Sequence, residues 1–403
     1  MVIVMDVAEI RSRIDADVAR RGDTLLDVSH DIHAHPELNF EERHAHDALC
    51  AALADAGLDV EEHAFGLDTA FAARVGTEGP VIAVLCEYDA LPEIGHACGH
   101  NVIAAAGLGA GLAAAALADE LGGRLLILGT PAEEGGGGKV LMAREGAFDG
   151  VDAAMMIHPA DGDLLSMDTI AIHQVEVSYS GQEAHAAAHP ELGRNALDAA
   201  VLGYTNIAAL RQHILPDERI HGIFTDGGQK PNIVPGHAAA IWYVRSPDLA
   251  SLEPLKARVM ACLSAGATAA ACGMDHHWND PPYADMIDNA AMLESFVAHA
   301  AAFGRVHTAP TSRTHVVGST DMGNVSYLVP SIHPMIRVAP KGVSIHTPEF
   351  TRYAGGAEGD AAVIDGARSM AATIVEMWSD PVRVDAAHSE HQAATEGDHP
   401  PVM

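Results

Sequence analysis

Apolar residues in the first 170 positions gather into short runs that stop at polar or glycine-rich points: Pro80–Cys86 (PVIAVLC), Arg124–Gly129 (RLLILG) and Val151–Ile157 (VDAAMMI). Unbroken apolar runs of this length fit strands buried on both faces. Between them, residues 42–56, 101–121 and 139–145 carry helical spacing. Strand and helix in alternation predict an α/β layer around a central sheet. From about Ile170 the rhythm changes to strand (170–180), helix (195–214), strand (219–226), strand (236–245), helix (249–271) and strand (273–278). That order, βαββαβ, predicts a ferredoxin-like unit. After Pro282 the first rhythm returns, with amphipathic helices over 288–303 and 359–378. The expectation is one domain made of residues 1–169 and 283–380, interrupted by an inserted domain at 170–282. It is followed by a polar, His-rich tail at 381–403, expected to be loosely ordered from Ser379 on.

Composition narrows the class. A hydrophobic share of 48% against 19% charged residues excludes general disorder, and 4% aromatics means that the core is built from Ala, Val, Leu, Ile and Met. The longest apolar run, Val102–Ala118, is rich in small residues and follows a His/Cys cluster, so it predicts a buried helix rather than a membrane span. The opening MVIVMDVAEIRSRIDADVARRG places acids at Asp6 and Glu9, unlike the basic-then-apolar plan of a signal peptide, and a cytoplasmic location is expected. The five cysteines form no C-x-x-C pair, which points away from a disulfide framework or zinc ribbon and towards a reducing compartment. Acids outnumber Lys and Arg by 55 to 23, for a formal charge of −32, which excludes nucleic acid and anionic membrane as partners.

Chemistry concentrates at the ends of the apolar runs. GHACGHN (95–101) sets Cys98 and His100 two residues apart at the start of a helix, and thiolate and imidazole both ligate zinc-like ions. GTPAEEGGGG (129–138) puts Glu133 and Glu134 at the carboxyl end of a strand, where α/β sheets build their sites. One acid can hold an ion while the other takes a proton from an activated water. The following four glycines lack the GK[ST] ending of a phosphate loop, since Val140 follows Lys139. The strand at 151–157 ends in His158-Pro159, and SIHTPEF places His346 after another short extended segment. Cys98, His100, Glu134, His158 and His346 exceed what one tetrahedral catalytic ion with an open position uses, so two ions are expected. Such pairs sit about 3.5–4 Å apart.

The segments EYDALPEIGHACGHN (87–101), GTPAEEGG (129–136), MIHP (156–159), GQEAHAAAHPELGRNALDA (181–199), PNIVPG (231–236), GSTDMGNVSYLVPSIHP (318–334) and HTPEF (346–350) occur in the order of the M20 metallopeptidase and amidohydrolase family. The resemblance covers nearly the whole chain to about Met377, and within the family it is similar to the aminoacylase-like branch, in the subgroup with aminobenzoyl-glutamate hydrolase and the β-alanyl-lysine type of dipeptidase. It implies a mixed-sheet metallohydrolase catalytic domain with an inserted lid and dimerisation domain. It also implies two divalent ions (Zn or Mn, with Co possible) on the five residues above, and Glu133 as general base. Where the wider family has H-x-D, this chain has Glu87-Tyr88-Asp89; His100 then supplies the imidazole, and Asp89 is expected to orient a ligand histidine. His185, in the G-x-x-A-H motif, is implied as an oxyanion stabiliser acting across a homodimer, with Asn232 near it. Arg245 and Arg337 are candidates for pairing with a substrate carboxylate. His33, His35, Pro36 and Glu37 match an N-terminal signature of the branch but also read as a helix terminus near Pro36; Asp321, in a motif near the substrate pocket, reads equally as a helix cap.

The expected activity is therefore hydrolysis of an amide bond in an N-acyl amino acid, an aminobenzoyl-glutamate-like compound or a small dipeptide. Two other classes compete: a cysteine amidase using Cys98 with His100 as base, and a non-catalytic homologue that binds a small amide. A thiol nucleophile needs a third orienting group and rarely lies two residues from its base. A binding module has no need for Glu133 beside a full ligand set.

Overall fold

The computed structural model describes residues 7–310 and 317–396. In chain order its elements are α1 (Val7–Ala34), α2 (Arg43–Asp55), β1 (Val60–Glu62), β2 (Phe71–Val75), β3 (Val81–Glu87), α3 (His100–Ala115), α4 (Ala118–Leu121), β4 (Arg124–Thr130), α5 (Gly138–Arg144), β5 (Ala153–Met155), β6 (His158–Ala160), β7 (Asp168–Thr169), β8 (Ala171–Ser180), α6 (Ala196–Leu210), β9 (Arg219–Asp226), β10 (His237–Ser246), α7 (Leu249–Ala269), β11 (Gly273–Trp278), α8 (Ala290–Ala300), β12 (Val317–Gly318), α9 (Met322–Leu328), β13 (Ser331–Ile332), β14 (Met335–Arg337), α10 (Pro348–Ala354), α11 (Ala357–Ser379) and α12 (Pro381–Thr395). The chain divides into two compact units, one of residues up to Asp168 and from Met286 on, the other Thr169–Asp285.

The first unit is built on a mixed six-stranded sheet in the order β1-β2-β4-β3-β5-β13. β3 runs parallel to β4 and β5, and β5 parallel to β13, whereas β2 is antiparallel to both β1 and β4. α3 is apolar all round and buried from His100 to Ala114, packed against α11, α1 and β3. Small residues make that depth possible: a Cβ at Gly109 would lie 2.8 Å from Leu25 and 2.9 Å from Ala367. The helix expected over 101–121 is two pieces, because the Leu117 N–H bonds the Ala114 carbonyl, one residue tighter than an α-helical bond. No helix among the described residues is long and apolar enough to cross a membrane.

The second unit is an antiparallel sheet in the order β11-β8-β10-β9, with α6 and α7 packed on β8 and β10. β8 alternates between buried and more exposed positions along its length, as a strand with one covered face must. Asn195 caps α6, and Asp248 with Ser251 forms a reciprocal capping box on α7.

Residues 381–395 of the tail depart from the expected looseness by forming α12, while 397–403 lie outside the described residues. Pro381 occupies the first turn and Asp380 accepts the Val382 N–H. The helix is tied down at three points: Glu390 accepts the Ala290 and Ala291 N–H groups, Asn289 donates to the Ala387 carbonyl, and Arg383 pairs with Glu376 at 2.8 Å. Polar composition had masked these docking contacts, which are themselves polar.

Candidate metal centre

The parallel strands β3, β4 and β5 all discharge at their carboxyl ends into chemistry-bearing loops. β3 delivers Glu87 and Asp89, and its loop reaches Cys98, Gly99 and His100 at the start of α3. Gly99 has φ +84°, and a Cβ there would come within 2.8 Å of Pro159, so the Cys98-to-His100 turn requires glycine. β4 leads to Ala132, held at φ +60°, and then to Glu133 and Glu134. The chain reverses through the glycines, where a Cβ on Gly138 would overlap the Pro131 carbonyl at 1.9 Å. His158 opens β6 just after β5. His346 arrives from far along the chain with φ +61°, its N–H bonded to the Ala97 carbonyl at 2.8 Å.

These deliveries converge. One ligand atom each from Cys98, His100 and His158 lies within 4.8 Å of the others, as do those of Cys98, Glu134 and His346, so Cys98 belongs to both groups. A third group joins Glu87, His100 and Glu133. His100 Nδ1 donates to the Asp89 carbonyl at 2.8 Å and faces Asp89 Oδ1 at 3.0 Å, while His158 Nδ1 donates to the Pro159 carbonyl at 2.8 Å. Both rings thereby turn Nε2 inward, and in the neutral form, the one that binds a cation, that nitrogen carries the lone pair. His158 Nε2 sits 3.3 Å from Cys98 Sγ. Buried His100 Nε2 and Glu87 Oε1, 3.1 Å apart, have no hydrogen-bond partner among the described residues. Two imidazoles, a thiol and carboxylates with orphaned inward atoms fit a borderline divalent cation.

Acidic groups and burial set the local field. Burial works against a charged His100, but Glu87, Cys98 and Asp89 outweigh it and push its pKa well up. Burial, then the charges of Glu87 and Glu134, drive the Glu133 carboxyl well above its ordinary range, as suits a proton acceptor. Burial also opposes ionisation of Glu134, but His346 and His100 hold it below the usual value. Burial takes His158 down to about 3, leaving a neutral imidazole, and pushes the Cys98 thiol well up. A cation among these groups offsets the concentrated negative charge.

Asp321, which the sequence placed in a motif near the substrate pocket, and three residues it did not single out, Lys139, Asn39 and Glu42, complete the centre. Lys139, fully buried, binds Glu87 Oε2 and Asp321 Oδ1, the latter at 2.7 Å. Burial alone would lower its pKa; Asp321, Glu87 and Glu133 raise it instead, so the ammonium stays charged. Asp321 is no side-chain cap for α9: its Oδ2 accepts the Lys139 N–H at 2.9 Å. Asn39, with its amide turned to satisfy both partners, donates to Asp89 Oδ2 at 2.9 Å and accepts from the Gly135 N–H. Buried Glu42 accepts N–H groups from Phe40 and Ala132, each at 2.9 Å, and the Thr69 hydroxyl. The apolar run after Lys139, Val140-Leu141-Met142, was the one available signal, because a lysine is buried only when paired.

His185, Asn232 and Arg245 lie in the second unit. Exposed His185 accepts N–H groups from Ala187 and Ala188 at Nδ1, which puts its proton on Nε2. The Asn232 carbonyl accepts the Ala186 N–H at 3.0 Å, so the two motifs are neighbours. The Arg245 guanidinium lies 5.9 Å from the Tyr243 ring, and Arg337 is exposed at the end of β14. His33 bonds the Thr351 carbonyl at 2.8 Å, consistent with its place at the end of α1.

The family model described as peptidase family M20/M25/M40 matches residues 83–376. The mouse (Mus musculus) Xaa-Arg dipeptidase is 36% identical over 395 residues, covering 94% of this chain and 90% of its own. A p-aminobenzoyl-glutamate hydrolase chain from Escherichia coli is 30% identical over 96% of both chains. Among solved structures, a dinuclear metal-binding M20 peptidase from Bacillus subtilis superposes with a TM-score of 0.68 at 19% identity, covering 89% of this chain and 99% of that one.

Proposed function

The chain belongs to peptidase family M20/M25/M40 and is a metal-dependent amidohydrolase, and from that premise we propose that it cleaves a small dipeptide or N-acyl amino acid with two divalent ions and Glu133 as base. The observation that carries the reading is the sharing of Cys98 between the Cys98/His100/His158 and Cys98/Glu134/His346 groups, with Glu133 alongside. Cys98, His100, Glu134, His158 and His346 would hold the ions. When bound, these supply a Lewis acid for the scissile carbonyl and a lowered pKa for the attacking water. Asp89 fixes the tautomer of His100. Glu133 takes the proton of the water and then gives it to the leaving amine. His185, with its proton on Nε2, is the proposed donor to the oxyanion.

The second unit, with its βαββαβ order, is read as a ferredoxin-like lid and dimerisation domain carrying His185 and Asn232. Support for a homodimer comes from the apolar edge of that unit. β9 ends its sheet and exposes Ile223 (67%) and Phe224 (41%), the Phe224 ring 5.8 Å from exposed Tyr204 on α6. Arg245 and Arg337 are the proposed partners of a substrate carboxylate. Zinc suits Cys98, with manganese or cobalt as alternatives, and the proposed compartment is the cytoplasm. The names of the relatives favour two substrate panels, dipeptides with a C-terminal arginine and aminobenzoyl-glutamate.

Metal content and turnover on both panels, before and after chelation, test the proposal, with Glu133→Ala as control. Two ions per chain and activity lost in both treatments are expected; full activity in metal-free protein would overturn it. Cys98 as nucleophile with His100 as base is disfavoured, since burial holds the thiol pKa well above its ordinary value even against the opposing pull of His100.

A further inference from the structure

A second ligand cluster lies on the first unit, apart from the residues above. Asp31 is in the last turn of α1, His35 follows directly after its end, and His44 is in the first turn of α2. One atom each from Asp31, His35 and His44 lies within 4.8 Å of the others. His44 Nε2 is 2.8 Å from Asp31 Oδ2, and the two imidazoles face each other with ring centres 4.3 Å apart. His35 Nδ1 donates to the Asp31 carbonyl at 2.9 Å, which leaves Nε2 as its lone-pair donor. His44 is set in place by Glu37, whose carboxylate accepts the N–H groups of His44 and Ala45 at 3.0 and 3.1 Å. The three side chains are about half exposed, at 43%, 56% and 41%, so an ion has a path in.

Two imidazoles and one carboxylate at this spacing are a ligand set for a borderline divalent cation, with water completing the coordination. We infer that Asp31, His35 and His44 form a third metal site, which takes a zinc-like divalent transition ion and staples the end of α1 to the start of α2. The staple closes the segment 36–43, which walls the metal centre. Within it the Glu37 carbonyl accepts the Ala90 N–H at 2.8 Å, next to Asp89, and Glu42 accepts the Ala132 N–H, next to Glu133. Occupancy of the outer site therefore stiffens the backbone that positions Asp89 and Glu133.

The test uses the full chain carrying its catalytic ions, equilibrated against micromolar Zn²⁺ with bound zinc counted by elemental analysis. Wild type is expected to hold one zinc per chain more than Asp31→Asn or His35→Ala/His44→Ala. His388 and His391 on α12 are common to all three proteins, so any zinc they bind cancels in the difference. The added zinc is also expected to slow hydrogen exchange of the Ala90 and Ala132 amides in wild type only. Equal zinc in wild type and both variants, with the variants folded by circular dichroism, overturns the site and leaves an ion pair at this corner. Zinc bound without slowed exchange overturns the coupling to the wall. Neither result depends on whether the catalytic reading holds, because only the difference between proteins that share the catalytic ligands is counted.

Discussion

Replacing Lys139 by methionine removes the only cation set between Glu87 and Asp321 among the described hydrogen bonds, while keeping most of the side-chain volume. At 2.7 Å and an effective dielectric near 20, the Lys139–Asp321 attraction alone is about 6 kcal/mol before desolvation. Truncating one member of a buried pair costs about 3–5 kcal/mol net, because the partner stays behind as an uncompensated charge. Asp321 loses its cation outright while Glu87 keeps His100 at 3.1 Å, so Lys139→Met is expected within that range. The sign of the pH dependence follows from the same residues. Burial already raises the Glu87 and Asp321 carboxyls above their ordinary values, and loss of the ammonium raises them further. A raised carboxyl leaves folding unpenalised below its unfolded pKa, so the deficit is small near pH 4 and grows as pH rises towards 8. Urea denaturation of wild type and Lys139→Met at several pH values, with metal held constant, reads the effect, and Glu87→Gln in the Lys139→Met background should recover part of it. A deficit under about 1 kcal/mol at pH 8, or one that widens as pH falls, would show that the buried triad is not held by charge.

Further outcomes are expected from other parts of the centre. Glu133→Gln should keep its metal content while turnover falls by about 10²–10⁴-fold; near-normal turnover with metal bound would remove Glu133 as the proton carrier. Gly99→Ala places a methyl 2.8 Å from Pro159 on a backbone at φ +84°, so bound metal after matched dialysis should drop below wild type, and unchanged content would mean that the Cys98–His100 turn tolerates a side chain. The Glu42 carboxyl, pushed up to about 7 mainly by burial, contributes stability that is present below its unfolded value of 4.5 and lost as pH rises through about 7. Glu42→Gln should therefore flatten the stability profile between pH 5 and 8, and parallel profiles for the two proteins would argue against a titrating Glu42.

Much of this architecture was readable from local pattern. The strand at 124–130 and the element order of 171–278 follow from apolar periodicity that the neighbours reinforce. Cys98, His100, Glu134, His158 and His346 were legible because each ends an apolar run at a place where a polar group needs a reason. Lys139 and Asp321 were not, since their meaning is a pairing across 182 positions that no spacing rule encodes. Lys139 looked like the failed end of a phosphate loop, and Asp321 like a helix cap. Glu42 was hidden for the same reason: its partner is the N–H of Ala132, a backbone group that leaves no mark on the sequence. α12 was missed because its docking contacts are salt bridges and caps rather than an apolar stripe.

The late arrival of His346 sets an order of events during synthesis. Cys98, His100, Glu134 and His158 precede the second unit, whereas His346 follows it, 188 residues after His158. At translation rates of about 5–20 residues per second, roughly 10–40 s separate the two histidines as they leave the ribosome. During that interval the nascent chain already holds the Cys98/His100/His158 ligands but not the Cys98/Glu134/His346 set. The Cys98/Glu134/His346 set can therefore close only after the whole second unit has been synthesised, so the shared thiol gains its second group of partners last.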